Sequence, residues 1–125
     1  MNGNSDFLLD TNIVLFLLNG DSVIATIIGQ KRPHVSFITE MELLSYGKLS
    51  ASYELKIKAF LNECIIIEMN PVIKMTAIKI RRVHRIKLPD SIIAATGSFL
   101  NVPLLTADDE FNKLKSLQIL QYKKQ

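Results

Sequence analysis

Four acidic residues, spread over most of the chain, stand at positions where a folded α/β protein does its chemistry. Asp10 directly follows the first apolar run of the sequence, and Asp108 comes shortly after another such run. Glu42 and Asp90 each lie near the start of a segment whose apolar residues have helical spacing. Strand C-termini and helix N-termini share one edge of a parallel sheet, where ligands bind. We therefore expect these four carboxylates to converge in one cleft.

Such a cluster of carboxylates predicts a divalent cation. Four carboxylates in one pocket repel each other and raise their own pKa values unless a cation neutralises them. Oxygen ligands with no histidine or thiol nearby in the sequence favour Mg²⁺ or Mn²⁺ over zinc. One or two such ions activate a water molecule and stabilise a pentacovalent phosphorus in phosphodiester hydrolysis. The residues therefore predict metal-dependent cleavage of a phosphodiester.

Each acidic residue also has a purely structural interpretation. Asp10 and Asp90 are of a type that caps helices, so each is expected to cap the helix that follows it if it has no other role. Asp108, together with Asp109 and Glu110, would stabilise a helix N-terminus through the helix dipole. No single one of these carboxylates identifies a site, and the prediction depends on their convergence.

Other reactive side chains leave the assignment open or contribute nothing to it. Glu42 has a rival two residues earlier, Glu40, and spacing alone favours neither. His34 starts a predicted strand and His84 lies in a basic helix, so neither is assigned a ligand or general-base role. Cys64 begins a predicted buried strand, where a thiol acts as a small apolar side chain.

A concentration of positive charge precedes Asp90. Five of the chain's 15 lysines and arginines lie in this segment: Lys79, Arg81, Arg82, Arg85 and Lys87. Cations beside an acidic metal site hold the phosphates that flank a scissile bond, and we assign this contact to Arg82, Arg85 and Lys87. The alternative is a solvated helix end where cations are favoured by the helix dipole.

Short apolar runs alternate with amphipathic stretches along the chain. Five runs predict strands: Phe7–Leu9, His34–Phe37, Cys64–Ile67, Val102–Leu105 and Leu117–Leu120. Six stretches predict helices: Asn12–Leu18, Ser22–Ile28, Glu40–Tyr46, Tyr53–Leu61, Val72–Arg85 and Ser91–Leu100. Strands that lack polar alternation and are separated by helices pair in parallel. The predicted fold is a three-layer α/β/α sandwich with a central parallel sheet of about five strands, and Phe99 and Phe111 are expected in its core.

Composition limits the class of protein. The length of 125 residues suits a single domain over residues 1–125, and 48% apolar with 22% charged residues is typical of folded globular proteins. The net charge of +3 is too small to identify a partner. One cysteine excludes an intramolecular disulfide, and the early sequence has neither a secretory signal nor a run long enough to span a bilayer. We therefore expect a cytoplasmic protein that does not enter the membrane.

The four acidic regions resemble a known family pattern. The segments are Leu8-Leu9-Asp10-Thr11-Asn12, Ser36-Phe37-Ile38-Thr39-Glu40-Met41-Glu42-Leu43-Leu44, Leu88-Pro89-Asp90-Ser91-Ile92-Ile93-Ala94-Ala95-Thr96 and Leu105-Thr106-Ala107-Asp108-Asp109-Glu110-Phe111. In their order and spacing they are similar to the four motif regions of PIN-domain nucleases, in particular the small VapC-like toxins. The resemblance runs from about Asp6 to Tyr122.

This resemblance implies a PIN fold and a Mg²⁺- or Mn²⁺-dependent endoribonuclease that cuts RNA. Asp10, Glu42, Asp90 and Asp108 match the acidic metal-site residues of the family. Asn12 and Thr106 match groups that orient them, and Asp109, which directly follows Asp108, is a second candidate in the fourth motif. A threonine three residues before the glutamate favours Glu42 over Glu40. The family also implies a homodimer and a cognate antitoxin that covers the active site.

Two other functions compete with this one. A haloacid-dehalogenase-like phosphatase would use Asp10 as a nucleophile but needs a second aspartate two residues later, where this chain has Asn12. A catalytically inactive PIN-like module would bind RNA or a protein partner without cutting, and intact acidic residues in all four motifs argue against it.

Overall fold

The computed structural model describes residues 6–124 and contains one sheet of five parallel strands. The strands are β1 (Leu8–Leu9), β2 (His34–Ser36), β3 (Ile65–Ile67), β4 (Leu104–Thr106) and β5 (Ile119–Gln121). Their order across the sheet is β3-β2-β1-β4-β5, so the chain builds one half outward from β1 and then crosses to build the other. The strand order therefore reverses between β1 and β4, which is where ligands bind in open α/β sheets.

In the described part of the chain, six α-helices surround the sheet. They are α1 (Thr11–Leu18), α2 (Ser22–Ile28), α3 (Phe37–Leu44), α4 (Ala51–Asn62), α5 (Pro71–Val83) and α6 (Leu88–Leu100). A short 3-10 helix, Asp109–Lys113, follows β4. The predicted three-layer α/β/α class with a parallel sheet of five strands is confirmed.

Helices α3 and α6 each begin three residues earlier than predicted, and both shifts have local causes. Ser36 caps α3 by accepting a hydrogen bond of 3.0 Å from the backbone N–H of Ile38, so Phe37 is the first helical residue rather than the last strand residue. Helix α6 begins at Leu88, with Pro89 in its first turn, where the missing N–H of proline has no intrahelical partner to lose.

The core has a layer on each face of the sheet, because consecutive strand residues point to opposite faces. Leu9 joins the apolar cluster formed with α1 to α4, whereas Leu8 joins the cluster formed with α6 and the segment after β4. Phe111 is fully buried there, as predicted. The prediction for Phe99 is wrong: this residue is 46% exposed, because the buried part of α6 ends at Gly97.

Within residues 6–124, no individual helix has both the length and the apolar character needed to cross a membrane. Only α1 and α2 taken together, a pair bent by 114°, reach that length and composition.

Candidate metal centre

Asp10 lies at the centre of the sheet, where the strand order reverses. Strands β1 and β4 pair Leu9 with Leu105, so the next residues, Asp10 and Thr106, lie side by side at the carboxyl edge. Thr106 Oγ1 donates a hydrogen bond of 2.6 Å to Asp10 Oδ2, and the backbone N–H of Thr11 donates one of 2.9 Å to Oδ1. Asp10 caps α1, as its structural interpretation predicted, and the same carboxylate is buried at the site.

Glu42 lies on the second turn of α3 and is held by α1. Thr11 Oγ1 donates a hydrogen bond of 2.6 Å to Glu42 Oε1 and lies 3.0 Å from the hydroxyl of Thr39, which is fully buried. A hydroxyl has one proton, so Thr11 gives its proton to Glu42 and accepts the proton of Thr39. The three side chains form a chain of hydrogen bonds that joins α1 to α3 and fixes the direction of the Glu42 carboxylate.

Asp90 and Asp108 reach the same edge by different routes. Asp90 is the third residue of α6, whose N-cap is Lys87, so the interpretation of Asp90 as a capping residue is wrong. Asp108 caps the 3-10 helix by accepting a hydrogen bond of 2.9 Å from the N–H of Glu110. The N–H of Asp108 in turn donates to Thr106 Oγ1 at 3.0 Å, so one threonine contacts two of the acidic residues.

All four carboxylates line one cavity of about 450 Å³. The lining residues are Asp10, Thr11, Asn12, Leu15, Glu42, Ser45, Tyr46, Asp90 and Asp108. Glu40 is not among them, so the cavity distinguishes the two glutamates that spacing did not. Asp109 is exposed and also lies outside the lining, because the chain turns into the 3-10 helix directly after Asp108. The position of Asp109 therefore does not support its expected role as a second acidic candidate in the fourth motif.

The electrostatics of the cavity are those of crowded carboxylates. Burial raises the pKa of Asp10 most strongly, and the charges of Asp108 and Glu42 raise it further, while hydrogen bonds from Thr106 and from the Thr11 backbone oppose the shift. Burial and the charges of Asp10, Asp108 and Glu42 raise the pKa of Asp90 to about 6. The cavity therefore disfavours its own negative charge, which is the condition that a bound cation relieves.

The donor set fits Mg²⁺ or Mn²⁺. Every charged group in the lining is a carboxylate, and hard divalent cations prefer such oxygen ligands. Asn12 adds a carbonyl oxygen, Oδ1, that is buried without a hydrogen-bonding partner among the described residues. In residues 6–124, no three Asp, Glu, His or Cys side chains stand close enough to form a ready-made metal-binding group. In the structure, hydrogen bonds to threonines hold Asp10 and Glu42. On binding a cation, the carboxylates would therefore have to move closer together.

The basic residues are only partly associated with this cavity. Lys87 is the N-cap of α6, three residues before Asp90, and its positive charge opposes the rise in the pKa of Asp90. Arg82 lies in the last turn of α5, and Arg85 lies in the segment between α5 and α6, where its backbone carbonyl accepts a hydrogen bond of 3.4 Å from Lys113. Neither arginine lines the cavity.

Sequence reasoning missed four residues of the lining: Thr11, Leu15, Ser45 and Tyr46. Thr11 stands between Asp10 and Asn12 in the first motif, but its bond to Glu42 joins residues 31 positions apart, which no local pattern reveals. Tyr46 follows the end of α3, and only the packing of α3 against α1 brings it to the cavity.

Comparison with known proteins gives matches over most of the chain. The family model described as PIN domain matches residues 7–117. A chain of a toxin–antitoxin complex from Klebsiella pneumoniae is 26% identical, with a TM-score of 0.78 over 91% of this chain and 95% of that one. A chain of VapBC-1 from nontypeable Haemophilus influenzae is 29% identical, with a TM-score of 0.75 over 93% and 97%.

A third structure supports the fold alone. A chain of VapBC2 from Rickettsia felis, solved bound to a DNA fragment from its promoter, is 23% identical, with a TM-score of 0.81 over 94% of this chain and 99% of that chain. No curated protein sequence gives a significant match.

Proposed function

This chain belongs to the PIN-domain family, and from that premise we propose that it is a Mg²⁺- or Mn²⁺-dependent endoribonuclease, the toxin of a toxin–antitoxin pair. The observation that carries the proposal is the meeting of four carboxylates from separate parts of the chain, Asp10, Glu42, Asp90 and Asp108, around one cavity. Carboxylates that raise each other's pKa values cost stability unless they serve a cation.

Asp10, Glu42, Asp90 and Asp108 would hold the metal, as one or two ions. A bound divalent cation lowers the pKa of a water molecule and neutralises charge on a phosphate under attack. The threonines of the site keep its ligands in place: Thr106 orients Asp10, and Thr11 orients Glu42.

Four further residues would act around the ligands. The unpartnered Oδ1 of Asn12 would accept a hydrogen bond from a ligand water. Lys87, near Asp90, would attract a phosphate beside the scissile bond, and Arg82 and Arg85 would contact RNA further from the cut.

A structural relative supports one of the proposed partners, an antitoxin. The Klebsiella pneumoniae structure is a toxin–antitoxin complex, and we propose that this chain likewise binds a cognate antitoxin that covers its active site. We further propose that it acts as a single domain, forms a homodimer and works in the cytoplasm, where RNA is accessible.

The direct test is RNA cleavage by the variant Asp10→Asn. We expect Mn²⁺-dependent cleavage to fall by more than about 100-fold, since losing even a residue that only supports a metal ligand typically costs 10- to 100-fold. The matched control is Asp109→Asn, which removes an exposed carboxylate outside the cavity and should leave cleavage unchanged. Full activity of Asp10→Asn would overturn the proposal, and RNA that is bound but uncut by the wild type would favour the inactive module instead.

A further inference from the structure

The rim of the cavity carries one exposed aromatic side chain. Tyr46 lies two residues after the end of α3, is 45% exposed, and lines the cavity together with the carboxylates. Burial and the nearby charge of Glu42 raise the pKa of its phenol, in agreement with a position beside that carboxylate. Leu15, on α1, adds apolar surface to the same lining.

The charge of the cavity limits how RNA can bind there. Among the described residues that line it, four are carboxylates and none is a lysine or arginine. Phosphates are therefore repelled except where a cation or the nearby Lys87 compensates. Binding energy close to the cut must include a contact that does not depend on charge. A flat aromatic ring provides such a contact through its face, and stacking accepts any base.

The size of the cavity also exceeds what an ion needs. A volume of about 450 Å³ is in the range of small-molecule sites and leaves room for a nucleoside beside the carboxylates. Tyr46 and Leu15 supply the surface on which a planar, weakly polar group would rest.

From these observations we infer that Tyr46 is a stacking platform for one unpaired base of the RNA, next to the phosphodiester that is cut. The inference rests on the proposed function and names a feature of its substrate. A base inside a duplex has both faces covered by its neighbours, so Tyr46 selects RNA that is single-stranded at the cut, such as a loop or a bulge.

Direct binding tests this inference without relying on cleavage. The probe is a fluorescein-labelled oligoribonucleotide, single-stranded or annealed to its complement, titrated with protein in Ca²⁺ and followed by fluorescence anisotropy. We expect Tyr46→Ala to weaken single-strand binding by about 5- to 100-fold, the range of one lost stacking contact. Binding of the duplex should change by less than about twofold, since a paired base cannot reach the ring.

Two variants serve as controls. Tyr46→Phe keeps the ring and should bind like the wild type. Phe99→Ala removes an aromatic side chain of nearly equal exposure, 46%, that lies outside the cavity, and should also leave binding unchanged. Equal single-strand binding by Tyr46→Ala and the wild type would overturn the inference, and so would a loss in Tyr46→Phe as large as that in Tyr46→Ala.

A second experiment locates the base relative to the cut. After the cleavage position in the oligoribonucleotide has been mapped with Mn²⁺, the nucleotides beside it are replaced one at a time by an abasic residue. At one position, the abasic substitution should lower kcat/KM of the wild type by the same factor that Tyr46→Ala lowers it on the intact oligoribonucleotide. The same abasic substitution should not lower kcat/KM of Tyr46→Ala any further. Additive losses at every position would overturn the inference.

The two proposals fail in different ways. If the wild type cuts no RNA but the binding pattern of the Tyr46 variants holds, the nuclease function falls, the position of the base beside a cut falls with it, and Tyr46 remains a stacking platform in RNA binding alone. If RNA is cut equally by the wild type, Tyr46→Ala and Tyr46→Phe, the nuclease function stands and the stacking inference falls.

Discussion

The hydroxyl of Thr106 donates a hydrogen bond of 2.6 Å to Oδ2 of Asp10, which lies 96 positions earlier in the chain. The two residues become neighbours because β1 and β4 pair in parallel and end at the same edge of the sheet. The bond fixes the orientation of a buried carboxylate and opposes the rise in its pKa that burial causes. The central carboxylate of the candidate site therefore depends on a strand from the far end of the sequence.

Thr106→Val should impair the site more than the fold. The variant keeps the shape of a fully buried side chain but leaves Oδ2 of Asp10 without its donor. We expect a loss of about 10- to 100-fold in Mn²⁺-dependent RNA cleavage, with weaker Mn²⁺ binding by calorimetry. The matched control is Thr96→Val, which removes an equally buried hydroxyl bonded at 2.8 Å to a carbonyl of its own helix. Equal activity of the two variants would contradict the role given to Thr106.

Thr11→Val should weaken the site through Glu42. Without the hydroxyl, the Glu42 carboxylate loses its 2.6 Å donor and its fixed direction. We expect cleavage to fall by about 10-fold or more, and Thr39→Val to act in the same direction with a smaller effect, because the hydroxyl of Thr39 is linked to Glu42 through the hydroxyl of Thr11.

A double-mutant cycle separates this role from a general loss of stability. In a Glu42→Gln background, Thr11→Val should cause no further loss of cleavage, since the two residues act as a unit. Additive losses would show that Thr11 acts independently of Glu42. Thermal melting of each variant provides the accompanying measure of stability.

Asp90→Asn should stabilise the metal-free protein at pH 7.5. The pKa of Asp90 is raised to about 6 from an ordinary 3.8, so its ionised form destabilises the fold above that pH. The full shift corresponds to about 3 kcal/mol, which solvent screening of a half-buried group reduces to about 1 kcal/mol. The expected rise in Tm is about 3–6 °C in EDTA.

The pH dependence distinguishes this effect from a change in packing. As the pH falls from about 6 towards 4, Asp90 takes up a proton in the folded wild type. The wild type is then no longer less stable than Asp90→Asn. The difference in Tm between the two proteins should therefore close over this range. A difference that stays constant from pH 7.5 to pH 4 would contradict the electrostatic explanation.

A second pH effect should come from the C-terminal segment. The hydroxyl of Tyr122 donates a hydrogen bond of 2.7 Å to Oδ2 of Asp21, and Lys124 lies 3.3 Å from the same oxygen. The hydrogen bond from Tyr122 lowers the pKa of Asp21 most strongly. The Ile24 backbone N–H and Lys124 lower it further, to about 2. The stability that the carboxylate contributes is therefore complete above about pH 4 and is lost as the pH falls towards 2.

Asp21→Asn tests this directly. The variant should have a lower Tm than the wild type at pH 7, and the two melting temperatures should converge between pH 4 and pH 2, measured by circular dichroism. Asp109→Asn, which alters an exposed carboxylate, provides the control and should follow the wild type at every pH. An Asp21→Asn curve parallel to that of the wild type would rule out the contribution of this ionised carboxylate.

Much of the fold was predictable because local patterns of apolar and polar residues determine it. Short apolar runs separated by amphipathic stretches indicated the five parallel strands, and an acidic residue directly after a run indicated the position of Asp10. The helix starts were less predictable. Ser36 ends β2 and also caps α3, and this double role moved the start of the helix from Glu40 to Phe37.

Long-range contacts account for what sequence patterns did not provide. The family motif favoured Glu42 over Glu40, but spacing alone did not: residues 40 and 42 differ by about 200° around a helix, so the physical choice between them depends on which face of α3 packs against α1. The bond from Thr11 to Glu42 and the position of Tyr46 on the cavity rim likewise arise only when these helices meet. The placement of Phe99 was wrong for a related reason, since its helical spacing continues past the part of α6 that is buried.

The measurement that tests the central claim most directly is the anomalous scattering of a crystal soaked in Mn²⁺. We predict one or two Mn²⁺ ions in the cavity, at about 2.1 Å from a carboxylate oxygen of Asp10, with Glu42, Asp90 or Asp108 completing the coordination. Anomalous density that lies only elsewhere on the protein, or none in the cavity at saturating Mn²⁺, would contradict the account.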